Sequence, residues 1–139
     1  MTWFYGLDEV VFQALAVNAQ VPVLALASLA RDTRSFLYMN EVVVRAPGRN
    51  DLEVDLWAIA DGQILIGEAK KSDKLEKTAK DERARCTALE ALTTAVTADQ
   101  FVMATSSGRW SQRTRGHATT MIGPAVPIRW VEGLDEQQP

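Results

Sequence analysis

Apolar positions recur at three- and four-residue spacing near the start of the chain. Leu7, Val10, Val11, Ala14 and Leu15 share a stripe, with Glu9, Gln13 and Gln20 opposite, so Asp8 to Ala19 predicts a helix. Gln20-Val21-Pro22 is expected to end it, because a residue before proline is pushed out of the helical region. Val23 to Arg31 then predicts a second short helix. The period changes at Phe36, where β-branched and aromatic residues predict a strand to Arg45. Ala46 to Asn50 is a turn by composition, and Leu52 to Ala60 a second strand. Asp61-Gly62 is a two-residue hairpin signal, since both residues accept the positive φ of a type I′ turn. Gln63 to Lys70 follows as a third strand. Ser72 to Thr97 predicts a long helix with Leu75, Ala79, Cys86, Leu89 and Val96 on its buried side. Phe101 to Thr105, Trp110 to His117 and Val126 to Val131 predict a strand, a short helix and a last strand. Residues 132–139 are polar and are expected to form a flexible tail.

This order predicts the α/β class: one domain over residues 1–139, with a mixed central sheet flanked by helices. Composition agrees, since 47% hydrophobic and 24% charged residues are globular values that exclude disorder or a coiled coil as a description of the whole chain. One cysteine, Cys86, and one histidine, His117, leave no disulfide within the chain and no Cys/His zinc site. Met1 to Val10 does not read as a signal peptide, and the apolar run Val21 to Ala30 is too short to span a bilayer. A cytoplasmic protein with no membrane partner is expected.

A net charge of −3 argues against a protein that coats nucleic acid non-specifically. The distribution says more. Residues 69–85 are net basic, and residues 106–120 carry Arg109, Arg113 and Arg115 with no acid. Two local basic stretches on an acidic chain fit a site for phosphate. Lys71 and Lys74, with Arg109, Arg113 and Arg115 beside Trp110, are the expected nucleic-acid contacts. The lysines alternate with acids, as an ordinary solvated helix face also would. His117 reads as structural or exposed rather than catalytic, and Cys86 as core.

The hairpin carries a derivable geometry. With Asp61 and Gly62 as loop residues, Ala60 pairs with Gln63, which sets Asp55 opposite Glu68 and Glu53 opposite Lys70. Residues two apart in a strand share a face. All four are therefore expected on one side, with Val54 and Ala69 on the other. A solvated face with a Glu53–Lys70 pair would explain part of this. It does not explain two like charges set opposite each other, nor Trp57, Ile59, Ile64 and Ile66 on the same face. Facing carboxylates need something between them, and hard oxygen ligands suit Mg²⁺ or Mn²⁺.

Asp55, followed thirteen residues on by Glu68-Ala69-Lys70, resembles the PD-(D/E)xK nuclease superfamily, which includes restriction endonucleases and Holliday-junction resolvases. The family's proline is absent, since Val54 precedes Asp55. The resemblance implies a restriction-endonuclease-like αβββαβ core and Mg²⁺- or Mn²⁺-dependent hydrolysis of phosphodiester bonds, DNA being the leading substrate. Asp55 and Glu68 would hold the metal, with the Ala69 carbonyl as third ligand, and Lys70 would act on water and phosphate. Glu9 matches the family's accessory glutamate on the first helix, with Glu41 as its rival. The implied partners are nucleic acid and either a second copy or a larger helicase, NTPase or defence assembly. The alternative is a nuclease-like module that binds nucleic acid or a protein without cutting.

Overall fold

The computed structural model describes residues 20–134, so the helix expected over Asp8 to Ala19, and Glu9 with it, lies outside the described residues. Its elements are α1 (Gln20–Ala30), β1 (Phe36–Val44), β2 (Leu52–Ala60), β3 (Gln63–Lys70), α2 (Ala79–Ala95), β4 (Gln100–Thr105), α3 (Gln112–Met121) and β5 (Ile128–Val131). Gln20 and Val21 are helical, so Pro22 does not break the chain where expected: its fixed φ is compatible with a helix.

The five strands form one mixed sheet in chain order. β1, β2 and β3 are antiparallel neighbours, whereas β3, β4 and β5 run parallel. Helices cover both faces, which is the α/β class. On one face α1 packs Val21, Ala25, Leu26 and Leu29 against Leu56, Ala58, Leu65, Val102 and Ala104. On the other, α2 and α3 bring Cys86, Leu89, Leu92, Ala118 and Ile122 onto Ile66, Phe101 and Met103. β4 is covered from both sides and is buried from Phe101 to Thr105, as a central parallel strand should be. None of the described helices is long and apolar enough to cross a membrane.

The β2–β3 hairpin forms as its turn residues dictate. Asp61 and Gly62 have φ of 48° and 82°, the left-handed pair of a type I′ turn. The Asp61 carboxylate also accepts the amides of Arg34 and Ser35 at 3.0 and 2.9 Å, which fixes the entry to β1.

Two further expectations are corrected. The long helix begins at Ala79 rather than Ser72, because Thr78 caps it by accepting the Asp81 amide. Residues 71–78 are an irregular loop, although Leu75 is buried as expected. The expected tail is ordered over residues 132–134. There Glu132 accepts the Trp110 amide at 2.6 Å, the Gly133 amide donates to Ser107 at 2.7 Å, and Leu134 joins the core beneath α1.

Candidate metal centre

The predicted hairpin register holds from Ala60↔Gln63 to Leu56↔Gly67, and there the ladder stops. One step further the Asp55 side chain takes over, accepting the Ala69 amide at 3.0 Å through Oδ2. On the other side of β2 the pairing with β1 skips the same place, passing from Asn40↔Leu56 to Val42↔Val54, and Glu41 has a φ of 20°. The facing of side chains reverses across this step. Leu56, Ala58 and Ala60 pack beneath α1, whereas Leu52 and Val54 pack on the α2 side.

This reversal corrects the expected four-residue face. Asp55, Glu68 and Lys70 do come together, but Glu53 is exposed in register with Val43, and Val54 lies on the α2 side while Ala69 lies beneath α1. Glu41 is exposed and makes no ion pair with the three.

Lys70 Nζ lies 3.3 Å from Asp55 Oδ2 and 3.5 Å from Glu68 Oε2. Glu68 has a side-chain exposure of 0%, and its other oxygen, Oε1, receives Arg85 Nη2 from α2 at 2.7 Å. The same Arg85 nitrogen donates to the Glu53 carbonyl. Glu68 Oε2 and Arg85 Nε are buried without a hydrogen-bond partner among the described residues.

Burial pushes the Glu68 carboxyl up to about 7, and the neighbouring Asp55 charge adds to this against the pull of Arg85 and Lys70. Burial works the other way on Lys70, but Glu68 and Asp55 outweigh it and hold its ammonium above the usual lysine range. Cys86, behind this cluster in the core, has its thiol pushed up to about 11, chiefly by burial, and is no nucleophile.

Among the described residues no group of three or more His, Cys, Asp or Glu side chains is arranged to hold a metal. The donors the cluster brings together are the carboxylates of Asp55 and Glu68, both hard oxygens. A cleft of about 400 Å³ opens beside it, lined by Lys70, Ser72, Lys74, Leu75, Glu76 and Lys77. Lys71, Lys74 and Arg109 are exposed.

The expected Arg113–Arg115 patch is not a free basic surface. Glu82, fully buried on α2, accepts Thr114 Oγ1 at 2.7 Å, Arg113 Nη2 at 3.3 Å and the Glu76 amide at 3.3 Å. It also meets His117 Nδ1 at 2.7 Å, which gives His117 the structural role expected of it. Burial opposes the Glu82 charge, but these bonds outweigh it and hold its carboxyl below the usual range. Arg113 further donates to the carbonyls of Glu76 and Lys77, pinning the 71–78 loop to α3. Arg115 pairs with Glu132 at 2.8 Å and lies over the Trp130 ring at 4.2 Å. Trp110 is buried, its indole donating to the Met103 carbonyl at 3.1 Å.

Arg85 is a residue of the site that the sequence pattern did not single out. It stands three residues from Glu82 and four from Leu89, both buried, and that spacing already aims it at the sheet. Compared with protein-family models, curated proteins and solved structures, the chain finds no match in any of the three.

Proposed function

We propose that this domain is a metal-dependent nuclease with a restriction-endonuclease-like core, hydrolysing phosphodiester bonds, DNA first among its substrates. The observation that carries the reading is Glu68 Oε2, a wholly buried carboxylate oxygen without a hydrogen bond, at the end of β3 and beside Asp55 and Lys70. Lys70 Nζ pairs with this oxygen at 3.5 Å without a hydrogen bond, so its buried coordination is left for a second cation to complete. The order of the described elements up to β4, a helix, three antiparallel strands, a helix and a parallel strand, supports this reading.

Asp55, Glu68 and the Ala69 carbonyl would hold Mg²⁺ or Mn²⁺. When bound, such an ion supplies Lewis-acid polarisation and lowers the pKa of water. Lys70 stands on the cleft side of the carboxylates and is the more exposed of the site's two bases, at 33% against 19% for Arg85. Its ammonium orients the attacking water and stabilises charge developing on the phosphate. Lys71, Lys74 and Arg109 contact the flanking phosphates. Assembly as a homodimer, or with a larger helicase, NTPase or defence complex in the cytoplasm, belongs to the same proposal.

The test is Mg²⁺- or Mn²⁺-dependent nicking of plasmid and single-stranded DNA, with calorimetry for the metal. Lys70→Ala is expected to lose about 10²-fold or more in rate, as for removal of one preorganised charge, while keeping metal affinity. Lys70→Arg does not rescue fully, since a planar fork is no substitute for a compact ammonium. Metal-independent cleavage by the wild type overturns the mechanism. One observation favours the second reading, a module that binds without cutting: Asp55 and Glu68 are already matched by Lys70 and Arg85. Nucleic-acid binding without cleavage at any metal concentration would establish it.

A further inference from the structure

Arg85 meets the site through one nitrogen of its fork rather than two. A structural arginine ordinarily uses its planar fork bidentately on a carboxylate. Here Nη2 alone makes both contacts, to Glu68 Oε1 at 2.7 Å and to the Glu53 carbonyl, while the buried Nε has no partner among the described residues. One carboxylate oxygen is therefore capped and the other left open toward Asp55 and Lys70.

Charge points the same way. Asp55 and Glu68 bring two negative charges, and Lys70 and Arg85 two positive ones. A divalent cation entering this neutral quartet meets two like charges within a few ångströms of its ligands. Lys70 can move aside, because it is held at 3.3 and 3.5 Å, is partly exposed and faces the cleft. Arg85 cannot move so easily, since it is tied to a main-chain carbonyl and enclosed between α2 and the sheet.

We propose that Arg85 is a positioning residue that holds Glu68 to a single ligating oxygen and keeps the site's affinity for a free divalent cation low. This rests on the metal-site reading above. It adds that the site is detuned by a fixed internal counter-charge on α2. The negative charge of a bound phosphate group offsets that counter-charge.

The experiment is a Mn²⁺ titration of the substrate-free protein by calorimetry, with melting temperatures in parallel. Arg85→Met removes the charge and keeps the length. It is expected to melt lower without metal and to bind Mn²⁺ about tenfold tighter or more, because a like charge near the cation is gone. Arg85→Lys keeps the charge and is expected to stay within about threefold of the wild type. A purely structural arginine would lower the melting temperature in Arg85→Met and leave Mn²⁺ affinity unchanged, and that result overturns the proposal. If Arg85→Met does not fold, Arg85→Gln carries the same expectation of tighter binding and the same overturning result. If neither the wild type nor any Arg85 variant binds Mn²⁺, the metal-site reading falls and this inference with it. Binding by the wild type with no gain in Arg85→Met or Arg85→Gln removes the Arg85 inference alone.

Discussion

The Asp55 carboxylate accepts the Ala69 amide at 3.0 Å, one step beyond the last backbone pair of the hairpin. It thus closes the ladder with a side chain while keeping one side turned to Lys70. This revises what a substitution at Asp55 should do. Two bare facing carboxylates would make Asp55→Asn stabilising, by up to ~1 kcal/mol for an opposed like-charge pair. Because Lys70 and Arg85 already compensate the pair, we expect no gain. Asn keeps an acceptor for the Ala69 amide, so Asp55→Asn should melt within about 1 kcal/mol of the wild type without metal. Asp55→Ala strands that amide and should cost about 1–3 kcal/mol. Denaturant titration of the metal-free variants checks both, and clear stabilisation by Asp55→Asn would mean that the repulsion is uncompensated.

Glu68 and Glu82 are both fully buried, yet their carboxyls move in opposite directions, and stability should depend on pH accordingly. Glu68 is raised from 4.5 to about 7, so the folded metal-free protein holds the proton more tightly than the unfolded chain. Its contribution is therefore favourable at low pH and lost as pH rises through about 7, a change of about 3 kcal/mol at 1.4 kcal/mol per unit. Glu82 is depressed, so its contribution is present above the ordinary carboxylate range and lost as pH falls through its folded value. The metal-free protein should be most stable on the acid side of neutrality. Glu68→Gln should flatten the neutral limb and leave the acid limb in place. Melting temperatures of both proteins from acid to mildly alkaline pH decide it, and a neutral limb surviving in Glu68→Gln would assign that titration elsewhere.

How far the sequence reaches can be seen at the same residues. Asp61-Gly62 fixed a turn type, the turn fixed a register, and the register placed Asp55 beside Glu68; each step uses local backbone geometry alone. Glu53 fails because strict alternation assumes an uninterrupted ladder, and both partners of β2 depart from it at Asp55. Arg113 and Glu82 fail for another reason. They are 31 residues apart, and a sequence pattern cannot show that a charge on one helix is answered from another. The loop over residues 71–78 continues a helix-like composition, but the Thr78 cap and the pull of Arg113 on the Glu76 and Lys77 carbonyls decide against it.

Gly67 offers a test of how tightly the site's frame is packed. It precedes Glu68 on β3 and lies against Val102 of β4 in parallel register. A Cβ at Gly67 would run into the Val102 carbonyl, which is backbone in the middle of the sheet and cannot give way cheaply. Gly67→Ala should therefore cost about 3 kcal/mol through forced separation of the two strands. A shift of less than a third of that in the denaturant midpoint would show that the sheet accommodates the methyl.

The cleft beside Lys70 and the α2–α3 contact make a last, discriminating prediction. Lys74 and Lys77 line the cleft, whereas Arg113 is spent on Glu82 and on the two carbonyls of the loop beneath them. If the cleft takes the nucleic-acid backbone, each lysine that meets a phosphate releases counterions. Lys74→Ala and Lys77→Ala should then each reduce the slope of log affinity against log salt by about 0.9 for duplex or about 0.7 for single strands. Arg113→Ala should behave differently. It leaves Glu82 short of donors in a buried place and should cost about 1–3 kcal/mol of stability. It also unpins the loop, so affinity should fall evenly at every salt concentration while the slope stays the same. Fluorescence anisotropy with labelled duplex and single strands, between about 50 and about 200 mM salt, separates the cases. A reduced slope in Arg113→Ala would make that guanidinium a phosphate contact after all. Unchanged slopes in both lysine variants would move the nucleic-acid path away from this cleft.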